Sequence, residues 1–194
     1  MDKWRSKSGN NFPTTGWKLE EGLLFLDGKG GDIITKETYS DFELVFDFKL
    51  TKGANSGIKY FVDTLVNAKN GSITVNGPEY QIIDDFNHAE VKEHGDRLIS
   101  TASAYLLYAP KEEKLKPAGQ WNTGKIIAKG DRVEHWLNGV QVLSYNRGSK
   151  DFLERKAKTK FKDDEKYGEL KSGHILLTDH HDKVYFRDIK VRRL

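Results

Sequence analysis

Hydrophobic and polar positions alternate along most of this chain. The segment "DFELVFDFKL" (41–50) sets Phe42, Leu44, Phe46, Phe48 and Leu50 on one face and Glu43, Asp47 and Lys49 on the other, with Val45 as the exception. Successive strand side chains point to opposite faces, so this pattern predicts a half-buried antiparallel strand. "GIKYFVD" (57–63) sets Ile58, Tyr60 and Val62 against Lys59 and Phe61, and "GPEYQII" (77–83) sets Tyr80 and Ile82 against Glu79 and Gln81. Between 124 and 146, Asn138-Gly139 separates two alternating runs, which predicts a hairpin with a type I′ turn. Residues 172–194 predict two more strands joined by a polar corner, Asp179–Asp182. Turn signals recur at Glu21-Gly22, Asp27 to Gly31, Lys52 to Gly57 and Asn76-Gly77. Helical periodicity is scarce. The charged stretch Lys150 to Glu169 reads as a long surface connection with one helical turn. Together these features predict an all-β sandwich or jelly roll, with residues 1–194 as a single domain.

Composition narrows the functions open to such a chain. Its 194 residues, 37% hydrophobic and 11% aromatic, suffice for a sizeable core and exclude a disordered protein. Lys and Arg number 32 against 29 Asp and Glu, and the charges are interspersed, so no nucleic-acid partner is expected. There is no cysteine, which excludes disulfides, thiolate zinc sites and a cysteine nucleophile. No apolar run approaches the ~20 residues of a membrane span. The opening "MDKWRSKSGNNF" lacks the apolar stretch of a signal peptide, so either the protein is cytosolic or a leader is missing from this sequence. Phosphate-loop, G-x-S-x-G and H-E-x-x-H motifs are absent, which leaves phosphoryl transfer, that type of serine hydrolysis and zincin chemistry without support.

The polar groups carry the functional question. The apolar face of 77–83 must be the core side, so Glu79 and Gln81 look out of the sandwich. On a convex sheet that is a solvated face; on a concave one it is a groove floor, where carboxylates serve as acid, base or nucleophile on a glycoside. Asn55-Ser56-Gly57 reads as a tight turn with Gly57 at positive φ, followed by Lys59, which pairs with Glu79 if the two strands are neighbours. His135 shares a face with Val133 and Leu137 and reads as a core histidine. Asp179, His180, His181 and Asp182 have the ligand chemistry for a metal, although adjacent residues rarely converge on one ion. His88 and His94 fall in a predicted loop. Trp121 is either a stacking platform for a sugar ring or a buried corner residue.

The motifs taken in order go further. "TGWKLEEGLL" (15–24), "GGDIIT" (30–35), "YSDFELVFDFKL" (39–50), "GANSGIKY" (53–60), "GPEYQIIDD" (77–85), "GQWNTGKIIAKGDRVEHWLNG" (119–139) and "GHILLTDHHDKVYFRDIKVRRL" (173–194) closely resemble the 3-keto-disaccharide hydrolase domain family over nearly the whole chain. The resemblance implies a concanavalin A-like jelly roll of two curved antiparallel sheets with a concave carbohydrate groove. It implies a periplasmic or secreted enzyme, with any signal peptide absent from this chain, that cleaves 3-keto-glycosides by hydrolysis or β-elimination. A ketone at C3 acidifies the proton at C2, so a modest base is the main requirement. Carried over by residue, the E-x-Q pattern falls on Glu79 and Gln81, the N-S-G signature on Asn55 to Gly57 with Lys59 as the basic position, and the W-N pair on Trp121 and Asn122. The "HWLNG" segment brings in His135, the "S-K-F" segment Lys160, and the C-terminal pattern Asp179, His180 and Arg187. Glu79 and His180 are thus the expected catalytic pair, with Asn55, Lys59, Gln81, Trp121, His135, Lys160 and Arg187 as substrate contacts. The resemblance implies no definite cofactor, and a divalent metal on Asp179 and His180 stays open. The chain departs from the pattern at Thr178, His181 and Asp188. A non-catalytic carbohydrate-binding module on the same fold is the rival reading, and a structural or adhesion domain a third.

Overall fold

A computed structural model describes residues 2–66 and 73–194. Among them, two curved antiparallel sheets stack as a jelly-roll sandwich. The first runs β1 (Trp4–Ser6), β4 (Ile33–Thr35), β12 (His174–Leu177) and β6 (Asn55–Val66), with β7 (Ile73–Asn76) and β8 (Glu79–Ile83) sharing the far edge of β6. The second runs β11 (Val140–Asn146), β10 (Arg132–Leu137), β9 (Trp121–Lys129), β5 (Phe42–Leu50), β13 (Val184–Arg193), β3 (Leu23–Leu26) and β2 (Trp17–Glu20).

Alternation sets what lies between the sheets. Phe42, Leu44, Phe46, Phe48 and Leu50 of β5 are all buried, facing Tyr60 and Tyr80 of the first sheet. The Phe46 and Tyr80 rings meet edge to face at 5.3 Å. Each such side chain contributes about 1.5–3 kcal/mol by burial. The Asn138-Gly139 turn has φ of 50° and 84°, as a type I′ hairpin requires, and joins β10 to β11. The polar corner Asp179–Asp182 does more than turn a hairpin: β12 lies in the first sheet and β13 in the second, so the corner carries the chain between them.

Three expectations give way. Phe61 has φ of 52°, and at this bulge the register of β6 against β12 slips. The slip turns Phe61 into the core instead of leaving it beside Lys59, and moves Val62 into a smaller cluster with Ile34, Val75 and Leu176. The predicted loop around His88 and His94 contains a helix, α1 (Ala89–His94), capped by the His88 side chain accepting from Glu90 N–H and by Gly95 at φ 69°. The 150–169 segment is not a surface connection alone. It holds α2 (Lys150–Lys156) and buries Phe152, Phe161 and Tyr167, with the last two rings stacked at 4.2 Å.

His135 completes the core. It is 0% exposed, with Nε2 at 2.8 Å from the Tyr60 hydroxyl and Nδ1 at 2.9 Å from the Ala102 carbonyl. Burial lowers its pKa to about 4. The substrate contact expected of it is corrected accordingly: no substrate reaches a ring enclosed between the sheets.

Candidate active site

On the outer face of the first sheet, β6 and β8 pair so that Lys59 lies opposite Glu79 and Gly57 opposite Gln81. Both β8 side chains point away from the core yet are buried, Glu79 to 5% exposure and Gln81 to 3%. Gln81 Nε2 donates to Asn55 Oδ1 at 3.3 Å. Gly57 is not at positive φ, contrary to the turn expected of it. Its lack of a side chain serves a different purpose: a Cβ there would come within 2.1 Å of Glu79 Oε1. The glycine is a cradle for the carboxylate.

The Glu79 carboxylate is poorly satisfied. Oε1 is buried and has no hydrogen-bond partner among the described residues, while Oε2 lies 4.0 Å from Lys59 Nζ. A buried carboxylate without full partners favours its neutral form. Burial therefore raises the Glu79 pKa, with Lys59 and Lys160 pulling it back and Asp32 pushing it further up.

The segment after α1 adds a third row. Gln81 N–H donates to Ser103 O, Tyr105 N–H donates to Glu79 O, and Tyr80 bridges Ala104. That register puts Ser103 beside Gln81 and Tyr105 beside Glu79 on the outer face. The row is held by Ala102 and Leu106 at φ of 68° and 64°. Ser103 Oγ is buried without a partner. The Lys160 ammonium lies 4.8 Å from the centre of the Tyr105 ring. The irregular chain after α2 thus brings Lys160 over the same face.

The polar corner supplies the opposite wall. The Asp179 side chain, 2% exposed, accepts from Gly30 N–H, Gly31 N–H and His181 N–H. Asp182 accepts from Asn55 N–H at 2.9 Å, and Ser56 Oγ donates to Thr178 O. Asp179 and Asp182 therefore fix backbone around the site. His180 lines a cavity of about 360 Å³ together with Lys59, Asp32 and Thr178. Partial burial lowers its pKa, and the Lys59 charge lowers it further. Among the described residues, no group of three or more His, Cys, Asp or Glu gathers as a metal site.

The structure thus brings together Asn55, Lys59, Glu79, Gln81, Lys160 and the His180 corner. It does not bring Trp121 or Arg187 to them. Trp121 starts β9 in the second sheet, with the Arg187 guanidinium 4.0 Å from its ring centre and Lys49 Nζ 5.1 Å from it.

The model of the 3-keto-alpha-glucoside-1,2-lyase-like domain matches residues 1–192. The chain belongs to this family. A 3-keto-disaccharide hydrolase of Bacteroides thetaiotaomicron is 32% identical, aligning over 98% of this chain and 74% of its own length. A solved structure of a provisionally assigned glycosyl hydrolase from Parabacteroides distasonis superposes with a TM-score of 0.86 at 33% identity, covering 99% of this chain and 88% of that one. The carbohydrate-binding module CBM66 of Bacillus subtilis superposes with a TM-score of 0.53 at 15% identity, covering 98% of this chain and 95% of that one, which shows likeness of fold alone. As a member of the 3-keto-alpha-glucoside-1,2-lyase-like family, the protein has a glycoside hydrolase-like role. Sequence reasoning had given no role to Ser103 or Tyr105. The signal was present in "STASAYLLY" (100–108), a run of small residues ending in aromatics beside the E-x-Q strand.

Proposed function

We propose that this protein cleaves the glycosidic bond of 3-keto-glycosides, with Glu79 as the base. The observation that carries the reading is a carboxylate that is 5% exposed, lacks a partner on Oε1 and faces outward over a glycine cradle. Burial that raises a carboxylate's pKa makes it a stronger base, matched to a C2 proton already acidified by the C3 ketone. In the elimination, Glu79 takes the C2 proton, the C1–C2 double bond forms, and the C1–O bond breaks with its electron pair leaving on the aglycone oxygen. That oxygen takes a proton, for which His180 at the cavity wall is the candidate donor. Lys59, 4.0 Å from the carboxylate, is placed to stabilise the enolate oxygen at C3, and Gln81 and Asn55 to hold hydroxyls. Water adding across the new double bond then completes a hydrolysis.

Asp179 and His180 would be the residues to hold a divalent metal. The Asp179 carboxylate is already engaged by two glycine amides and the His181 N–H, which argues for a role as loop anchor. The test is incubation of the purified protein with 3-keto-trehalose and 3-keto-glucosides, with and without chelator, following free glucose or aglycone. Release that continues in chelator supports the base mechanism without a metal. No release, with saturable sugar binding still present, would move the protein to a carbohydrate-binding module.

A further inference from the structure

Glu79 has a different neighbour on each flank. Along one edge β8 pairs with β6, which sets Lys59 beside Glu79. Along the other it meets the 102–105 row, where Tyr105 N–H donates to Glu79 O. Across the outer face the order is therefore Tyr105, Glu79, Lys59 and then β12, which pairs with the other edge of β6. Tyr105 is half-buried, and its hydroxyl makes no hydrogen bond among the described residues. The Lys160 ammonium, 4.8 Å from the ring centre, and Phe161, edge-on at 6.4 Å, hold the ring in place.

The substrate repeats this order. In a 3-keto-glycoside, C2 lies between C1, which carries the leaving oxygen, and C3, which carries the ketone. With the C2 proton at Glu79 and the C3 oxygen at Lys59, C1 falls on the Tyr105 flank. His180 shares its cavity with Lys59 and so stands on the ketone flank. We propose that Tyr105 is a further catalytic residue, the acid that protonates the leaving oxygen. The inference rests on the function proposed above and moves this proton from His180 to the phenol. Glu79 takes the C2 proton, and the C2–H electron pair becomes the C1–C2 double bond. The C1–O pair leaves on the oxygen, which takes the phenol proton, and Glu79 then passes its new proton to the phenolate. Electrostatics times the transfer. Burial raises the Tyr105 pKa and the Glu79 charge raises it further, so the phenol keeps its proton while Glu79 is the charged base. Capture of the C2 proton neutralises Glu79 and removes that push. The phenol becomes a stronger acid as the C1–O bond breaks.

Tyr105→Phe keeps the ring and removes the acid. Two substrates read the difference: methyl 3-keto-glucoside, whose alkoxide needs a proton to leave, and nitrophenyl 3-keto-glucoside, whose phenolate leaves without one. In the variant, kcat on the methyl glycoside should fall about a hundredfold or more, and the ratio of nitrophenyl to methyl kcat should rise by a similar factor. A structural role alone would lower both rates alike, so an unchanged ratio overturns the assignment. His180→Gln is the opposing arm. A ratio that rises there and not in Tyr105→Phe returns the proton to His180 and overturns the assignment as well. If the unaltered protein cleaves neither glycoside, the activity reading fails and the role of Tyr105 falls with it. Cleavage of both, with the ratio unmoved in Tyr105→Phe, strikes Tyr105 alone.

Discussion

The outer faces of the two sheets make opposite use of the same kinds of residue. On the second sheet, Arg187 lies 4.0 Å from the Trp121 ring centre and donates to Asp47 at 3.1 Å, while Thr123 donates to the other Asp47 oxygen at 2.7 Å. Lys49 reaches both Trp121 and Tyr185. These groups satisfy one another, and a substrate would have to break contacts in order to use them. On the first sheet, Glu79 and Ser103 keep buried oxygens without partners. An unpartnered buried polar atom costs roughly 1–3 kcal/mol, a cost that persists where function needs the group. Abundance of aromatic and charged side chains therefore does not mark the site. What separates the two faces is that the first keeps a carboxylate and a hydroxyl incompletely satisfied.

Glu79→Gln breaks this comparison most severely. Turnover of a 3-keto-glycoside should fall about a thousandfold or more, with substrate binding largely kept. The same change should stabilise the fold. Burial raises the Glu79 pKa above its ordinary 4.5, so between that value and the raised one the folded state binds more protons than the unfolded state. Stability is therefore lost as pH rises through the raised value, and the glutamine variant escapes that loss. Its melting temperature should exceed that of the unaltered protein by a few degrees at neutral pH, and the gap should close below about pH 4. A Tm unchanged at pH 7 would show that the buried carboxylate carries no such cost.

Lys59→Met is expected to come next, with a loss of about ten- to a hundredfold in kcat. It also moves a pH profile in a defined direction. Lys59 draws the Glu79 pKa down, so its removal lets the pKa rise, and the acid limb of kcat/KM should move to higher pH. A limb that stays in place would assign it to another group. Gly57→Ala is milder and more local. Since Gly57 is not at positive φ, the alanine backbone fits, and the three atoms nearest the new Cβ all belong to the Glu79 side chain. About tenfold lower kcat with an unchanged circular dichroism spectrum is expected; full activity would mean that the carboxylate position is not critical.

The sandwich was legible because period-two alternation reports burial directly, and β5 and β10 follow it residue by residue. The outward direction of Glu79 and Gln81 was legible for the same reason. Their burial was not, because the cover comes from residues distant in sequence. Lys160 reaches the face from a stretch so charged that its three buried aromatics, Phe152, Phe161 and Tyr167, read as surface. Phe61 could not be placed either, since one left-handed residue turns Phe61 into the core and puts Val62 on the other side. Trp121 and Arg187 illustrate a further limit: alternation says that a side chain faces out, not which sheet it faces out from.

Trp121→Ala provides the smallest effect and the sharpest control. Were Trp121 a sugar platform, its loss would weaken substrate binding substantially, since a large amphipathic ring would be gone from the contact. The geometry places it instead between Lys49 and Arg187 on the sheet opposite Glu79. Its removal should then cost the fold the cation–π contacts, about 0.5–1 kcal/mol each at a partly exposed site. A fall of a few degrees in Tm is expected, with kcat/KM on 3-keto-trehalose within about twofold of the unaltered protein. A tenfold rise in KM would mean that substrate wraps onto the second sheet, and that a satisfied network can still serve as a binding face.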